Sequence, residues 1–193
     1  MGKRFEKTEQ TKADLREAFW RCYETTPMQK ITVAQVCETA GYNRATLYAH
    51  YRDLYELLEA VEDDVMAGMV ECVGGCLRVL GRGKAALGLA MKDVIVFYER
   101  NRRYIYPLLG EQRDPAFTAR LKEELKPLWR AYVIGADTGR SDGEIDLMLE
   151  SAIGGGLSMV SRWLLNPGDV SPTRLAMLVY DVAIRDVSRR ASA

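Results

Sequence analysis

The stretch Ile31–Leu58, ITVAQVCETAGYNRATLYAHYRDLYELL, decides the fold of this chain. Thr32 and Gln35 have the spacing of a capping box, in which two side chains satisfy free backbone N–H groups at the start of a helix. Gly41 suits the left-handed conformation that ends such a helix, and Asn43 suits the cap of the next one. Two short helices joined by a tight turn make a helix-turn-helix, a motif whose second helix can enter the major groove of DNA.

Helical spacing divides this stretch into two faces. Val33, Val36, Cys37, Leu47 and Tyr51 are spaced to face a shared core. The outward residues of the second helix are the candidates for contact with DNA: Asn43, Arg44, Ala45, Thr46, Tyr48 and His50. The alternative is a solvated face of a small helical core. For His50, the only histidine in the sequence, a surface or capping role and a phosphate contact are equal alternatives.

The helical period continues on both sides of this stretch, and no segment alternates polar and apolar residues for long enough to predict a sheet. Start signals recur along the chain, at Asp114-Pro115, at the Ser141 and Glu144 capping box, and at Ser171-Pro172. The spacing predicts an all-α protein of about nine helices, with a fifth over about 84–100 and a sixth ending near 107–110. Residues 1–52 form a three-helix helix-turn-helix domain, and residues 53–193 form a bundle of longer helices.

Composition is that of an ordinary globular protein, with 193 residues, 48% hydrophobic and 28% charged. No window approaches the ~20 apolar residues of a membrane span, and the polar start of the chain predicts no secretory signal. Four cysteines suit a reducing compartment, so we expect a cytoplasmic protein. Residues 1–55 hold nine basic and seven acidic residues, net +2. This excess is too weak to indicate DNA binding by itself.

Motifs of the common enzyme classes are absent from the sequence, which has no Gly-rich phosphate loop, no G-x-S-x-G and no H-E-x-x-H. We therefore predict no enzyme activity, no cofactor and no metal site. Cys72 and Cys76, four residues apart, are either a metal or redox pair or packing side chains. No neighbouring histidine or cysteine completes a zinc set, and an intrahelical disulfide at this spacing is awkward, which favours packing.

Over about residues 10–60 the sequence resembles the TetR/AcrR (tetracycline-repressor-like) family of transcriptional regulators. Four pieces carry the resemblance: Ile31-Thr32-Val33, Ala40-Gly41-Tyr42, the box TLYAHY over 46–51, and Tyr55-Glu56-Leu57-Leu58. The resemblance implies a homodimer with one helix-turn-helix per subunit and an effector cavity in the larger domain. It also implies that Thr32 and Tyr48 touch phosphates and that Arg44 and Thr46 touch bases or phosphates.

The chain departs from the family pattern at two positions. Many members have a lysine at the start of the fourth helix, where it reaches a phosphate, and this chain has Leu54. Arg52 is the candidate to replace that contact; otherwise the affinity for the DNA backbone is lower. Tyr51 replaces the usual phenylalanine, a harmless change if its hydroxyl reaches solvent.

Aromatic residues gather in the middle of the second part and predict a cavity for a small-molecule effector. The candidate lining residues are Phe97, Tyr98, Tyr104, Trp129, Tyr132, Met159 and Trp163. The alternative for each of them is plain core. An acidic effector could meet an arginine near residue 100, and a cationic one could meet Glu99 or Glu150, so the sequence leaves the effector's charge open.

The run Gly154-Gly155-Gly156 lies inside a predicted helix, where each glycine costs about 1 kcal/mol relative to alanine. In the family the last two helices of each subunit usually form the dimer interface, and glycines would let the backbones approach closely. The candidate interface residues are Ile153, Gly154, Gly155, Leu157, Val160, Leu164, Leu175, Leu178, Val179 and Val182. The alternative is packing within one subunit.

These features predict a sequence-specific regulator that binds double-stranded DNA, in the form of a repressor released from a palindromic operator by a small molecule. One alternative is a protein that keeps the family fold but acts through protein partners. Another is a DNA binder that has no effector.

Overall fold

The computed structural model describes residues 2–79, 82, 84–110, 114–134 and 140–185, and these ranges contain helices and no strand. The helices are α1 (Gly2–Tyr23), α2 (Val33–Ala40), α3 (Arg44–Tyr48), α4 (Leu54–Arg78), α5 (Lys84–Leu109), α6 (Pro115–Ile134), α7 (Asp142–Leu165) and α8 (Pro172–Val179). A 3₁₀ turn covers Met28–Lys30, and a π-helical turn covers Tyr180–Arg185. The prediction of an all-α fold is confirmed.

Two helix boundaries differ from the prediction. The expected break after residue 100 is absent, because α5 runs unbroken to Leu109, and the described residues therefore contain eight α-helices where about nine were predicted. Buried Ile105 and Leu108 explain the continuation, since packing of an apolar face outweighs the backbone hydrogen bond that Pro107 cannot donate. The first helix begins at Gly2, earlier than the expected start near Glu9.

The chain divides into two compact units, Met1–Asp64 and Val65–Ala193. Helix α4 contributes its first residues to one unit and the rest to the other. The division predicted at residue 52 stays a prediction about functional domains.

The first unit is built on the apolar side of α1, which packs against α2. Leu15, Phe19 and Trp20 of α1 are fully buried, as is Val36 of α2. The rings of Trp20 and Tyr23 lie 5.0 Å apart, centroid to centroid. A well-packed core of this kind holds α2 and the helix that follows it in a fixed place.

The second unit is a bundle in which α7 contacts α5, α6 and α8. Phe117 and Leu121 of α6 and Leu149 of α7 are fully buried between these helices. On the surface, Lys122 of α6 is paired with Glu150 of α7. Exposed pairs of this kind stabilise by only about 0–1 kcal/mol, so burial of the apolar side chains holds the bundle together. Within the described ranges, no helix combines the length and the apolar character needed to cross a membrane.

Candidate DNA-reading surface and ligand cavity

Helix α2 begins and ends as the sequence predicts. Thr32 Oγ1 accepts a hydrogen bond from Gln35 N at 3.3 Å, and Thr32 N donates to Gln35 Oε1 at 2.8 Å. Gly41 ends the helix at φ +71°, in the left-handed region that glycine adopts without strain. The predicted capping box and the predicted glycine stop are both confirmed.

Helix α3 is a short helix fixed at its start and on its inner side. Asn43 Oδ1 accepts a hydrogen bond from Thr46 N at 2.8 Å and another from Thr46 Oγ1 at 3.1 Å. On the inner side Leu47 is fully buried. Because the cap and the buried leucine orient all five residues, the outward side chains point in directions set by the fold.

The predicted DNA contacts fall into two groups by exposure. Exposed are Thr32, Asn43, Arg44, Ala45, Tyr48 and Arg52; half-buried are Thr46 and His50. Tyr48 stands out because a large aromatic side chain remains 56% exposed. Tyr48 lies one helical turn from the exposed Arg44 guanidinium, so the two side chains together offer a hydroxyl and a cation to a nucleic acid.

The turn between α2 and α3 is also tied to α1. Tyr42 Oη donates to Asp14 Oδ2 at 2.8 Å. Tyr51 is buried, and burial raises the pKa of its hydroxyl, while the Arg16 guanidinium that hydrogen-bonds to it acts in the opposite direction. Its hydroxyl therefore meets Arg16, so the extra oxygen relative to phenylalanine has a partner within the unit.

The start of α4 lacks a lysine that could bind a DNA phosphate, and has Leu54 in its place. Leu54 is only 8% exposed, so it belongs to the core. Arg52, the candidate replacement, pairs with Asp53, Nε to Oδ2 at 3.4 Å. Asp53 Oδ1 accepts hydrogen bonds from the backbone N–H groups of Glu56 and Tyr55, and these bonds with the Arg52 contact lower the pKa of Asp53. Tyr55, exposed on the first turn, is a contact candidate that the sequence reasoning missed.

A cavity of about 200 Å³ lies within the second unit, between helices α4 to α8. Four of the predicted lining residues surround it: Phe97, Tyr98, Trp129 and Trp163. Tyr104 and Met159 are not among the lining residues, and the side chain of Tyr132 lies outside what the structure describes. The rings of Tyr98 and Trp163 meet edge to face, with centroids 5.4 Å apart.

The cavity also has a wall that the aromatic pattern did not indicate. Cys72 and Cys76 of α4 line it, and both are free thiols. Burial, the neighbouring Cys76 thiol, and nearby Glu71 and Asp93 raise the pKa of Cys72 to about 11. Burial and Asp93 also raise the pKa of Cys76. Both thiols are therefore protonated at neutral pH and act as soft, uncharged surface.

The residues predicted for the dimer interface are distributed over different environments. Buried within the unit or lining the cavity are Ile153, Leu157, Val160, Leu164, Leu175 and Val179. Gly154 and Leu178 are half-buried, while Gly155 and Val182 are exposed. Ile153 is 3% exposed and has almost no surface to offer a partner.

The outward face of α7 shares only Gly155 with the residues predicted for the interface. Leu147, Ser151, Gly155, Ser158 and Leu165 follow helical spacing and are all exposed. Leu147 is 74% exposed, and a Cβ built on Gly155 would meet no atom within 4 Å. We call these five residues the α7 outer face. It has a large apolar residue at each end, and exposed Arg162 lies between Ser158 and Leu165 on the same side of the helix.

Comparison with solved structures agrees with this architecture. The chain is similar to the dihydroxyacetone kinase operon activator DhaS, with a TM-score of 0.64 over 93% of this chain and 97% of that chain. The fold is TetR-like. Because the two sequences are 13% identical, the likeness shows the fold alone. No family model matches the sequence, and neither does any curated protein.

Proposed function

We propose that this protein is a sequence-specific DNA-binding transcriptional regulator that reads its operator with α3. The supporting observation is the construction of α3 itself. Asn43 caps it and Leu47 anchors it, while Arg44 and Tyr48 are left exposed on its outer side. In a helix-turn-helix, outward residues at the start of the second helix meet the edges of bases in the major groove.

Each contact residue has a chemical role in this proposal. The Arg44 guanidinium is the group able to read a base pair, since arginine bonds bidentately to guanine O6 and N7. Tyr48 supplies a hydroxyl for a phosphate oxygen. The Asn43 oxygen is already engaged with Thr46, so its contribution is the position of the helix. Specificity therefore depends on Arg44 more than on its neighbours.

The regulator acts as a homodimer in this proposal, and the α7 outer face is the contact surface. A palindromic operator needs two α3 helices separated by about one turn of DNA, ~34–36 Å. Leu147 and Leu165 supply apolar area, and Gly155 allows close approach of a second backbone. This surface shares Gly155 with the interface predicted from the sequence and leaves out those predicted residues that are buried within the unit.

Release from DNA follows from ligand binding in the cavity of the second unit. A ligand shifts the equilibrium only if it binds the DNA-incompetent arrangement more tightly. We propose repression relieved by the ligand. One solved structure with a similar fold is named as an operon activator, so the sign of regulation has to be measured in its own right.

The test of this proposal is DNA binding by fluorescence anisotropy with random-sequence duplex at low salt, comparing Arg44→Ala and Tyr48→Ala with the wild type. The matched control is Lys92→Ala, which removes an exposed cation from α5. The salt slope counts the cations that neutralise phosphates, so loss of the uncharged Tyr48 side chain should weaken binding without changing the slope. We expect both α3 variants to bind at least several-fold more weakly and the control to bind normally.

A protein that acts only through protein partners is the second candidate, supported by buried Leu54 and by Arg52 paired with Asp53. These features remove one cation from the surface that should face phosphates. This candidate predicts absent or salt-insensitive binding in the same titration. Equal losses of affinity in Lys92→Ala and Arg44→Ala would also count against a DNA-reading role for α3.

A further inference from the structure

The walls of the cavity carry no charge in the part of the chain that the structure describes. The lining residues are aliphatic, aromatic, methionine or cysteine, with Gly156 and Pro172 completing the set. Glu99 and Glu150, the acids that could have met a cationic effector, are exposed and are not among the lining residues. Arg100 and Arg102, the candidates for an acidic effector, do not line it either.

The few polar groups of the lining are neutral, and one of them is already satisfied. Trp163 Nε1 donates to the backbone oxygen of Val170 at 2.7 Å, so this N–H is not available to a ligand. Burial raises the pKa of the Tyr98 hydroxyl, which therefore stays protonated at neutral pH. The two cysteine thiols are protonated under the same conditions. A ligand inside meets weak polar groups and many apolar atoms.

The energetics disfavour a charged group in contact with this lining. An ion moved from water into a low-dielectric interior loses several kcal/mol of solvation, and only a partner charge or several hydrogen bonds can offset this loss. The lining itself offers no partner charge; the Asp93 carboxylate, which raises the pKa of Cys72 and Cys76, lies outside the lining and is exposed. A neutral apolar molecule instead gains about 25 cal/mol for each Å² of its surface removed from water.

The volume limits the size of the molecule. A dry cavity of about 150 Å³ in another protein holds benzene, and this cavity measures about 200 Å³. It also falls below the ~300–1,000 Å³ of typical sites for drug-sized ligands. One or two six-membered rings, or a branched hydrocarbon of about ten heavy atoms, is the size that fits.

We propose that this cavity binds an uncharged, largely apolar molecule of one or two rings and rejects ionised molecules of the same shape. The identification of this molecule as the effector rests on the proposed function. Its stacking partners are Phe97, Tyr98 and Trp129, because aromatic rings favour offset or edge-to-face contact with another ring. The charge of the effector, which the sequence left open, is in this way assigned as neutral.

The test is isothermal titration of the full chain without DNA, using naphthalene, 2-naphthoate and 2-naphthylmethylammonium as three ligands of one shape and different charge. We expect naphthalene to bind and each ion to bind at least a hundredfold more weakly. Binding of either ion as tight as that of naphthalene would overturn the proposal. So would the absence of naphthalene binding to the folded wild type.

Two substitutions test whether naphthalene binds in the cavity. Val160→Phe adds a ring to a lining residue, and Val96→Phe adds the same ring at an exposed position of α5. We expect naphthalene affinity to fall at least tenfold in Val160→Phe and to stay unchanged in Val96→Phe. Unchanged affinity in folded Val160→Phe would contradict the proposed site. If circular dichroism shows that this variant is unfolded, Ala176→Phe fills the cavity from α8 and replaces it.

The ligand result and the DNA result can fail separately. Naphthalene binding without any DNA binding would leave the cavity inference standing and remove the regulator proposal. DNA binding with no neutral-ligand binding, or with preference for an ion, would leave the regulator proposal and overturn the cavity inference.

Discussion

The Phe97 ring lies against the backbone of α4 at Gly68, where a Cβ would stand 2.7 Å from Cζ of that ring. Real Cβ atoms do not approach other heavy atoms so closely. Glycine at this position is what allows the ring to pack on the helix. Because Phe97 also lines the cavity, the contact connects the shape of the cavity with a residue of α4.

Gly68→Ala should destabilise the protein and alter the cavity. Overpacking costs about 1–3 kcal/mol, partly offset by about 1 kcal/mol gained in helix propensity. Gly75→Ala is the matched control, since it lies on the same helix and its nearest neighbour atom is the mobile end of Arg78, 3.8 Å away. Urea denaturation checks the difference, and the double change Gly68→Ala with Phe97→Leu should recover stability. A Gly68→Ala protein as stable as Gly75→Ala would show that the contact is not as tight as described.

Two substitutions at Asn43 distinguish its role as the cap of α3 from a role in DNA binding. Asn43→Ala removes the acceptor for Thr46 N and should lower the free energy of unfolding by about 1 kcal/mol. Asn43→Asp keeps the acceptor and suits the helix dipole, so thermal stability should be retained. Its negative charge faces the phosphates, so the DNA affinity should fall and the effect should weaken with added salt. Normal DNA affinity in stable Asn43→Asp would place Asn43 away from the DNA.

The raised pKa of Cys72 makes the stability of the folded protein depend on pH in the alkaline range. Its pKa is about 11 in the folded state, against an ordinary value of 9.0. Between these values the unfolded thiol loses its proton while the folded one keeps it, so stability is present below pH 9 and decreases as the pH rises toward 11. The melting temperature, measured from about pH 8 to about pH 10.5, should fall less steeply in Cys72→Ala than in the wild type. Parallel curves for the two proteins would contradict the burial of this thiol.

Gly155 and Gly88 are a matched pair for self-association. Both are glycines inside helices, and a Cβ on either would meet no atom within 4 Å. Gly155→Gln should lower the affinity between protomers because it places a long side chain on the α7 outer face, whereas Gly88→Gln should leave it unchanged. Sedimentation equilibrium measures both. A wild type that is monomeric at micromolar concentration, or equal behaviour of the two variants, would remove the α7 outer face as the interface.

Local structure was predictable from the sequence where one short segment decides the outcome. The caps at Thr32, Asn43 and Ser141 and the stop at Gly41 depend on atoms a few residues apart, and the sequence contains all of those atoms. The missing break after residue 100 was not predictable in this way, because it depends on the packing of Ile105 and Leu108 against other helices.

The faces of the longer helices were harder to assign for a related reason. Periodicity shows that Ile153 and Leu157 share an apolar side of α7, but a cavity wall and a partner protomer require the same apolar residues. The neutral lining of the cavity depends on which residues five helices bring together. Cys72 and Cys76 were therefore identified as packing residues, while their place in the cavity wall emerged only from the fold.

Selection of a random DNA library on the purified protein tests whether α3 reads DNA, with an Arg44→Ala/Tyr48→Ala variant in parallel and Lys92→Ala as control. We expect a palindrome enriched by the wild type and by the control, with half-site centres about one helical turn apart, and no enrichment by the α3 variant. Enrichment of the same sequence by the α3 variant, or no enrichment by the wild type at low salt, would contradict a DNA-reading role for α3.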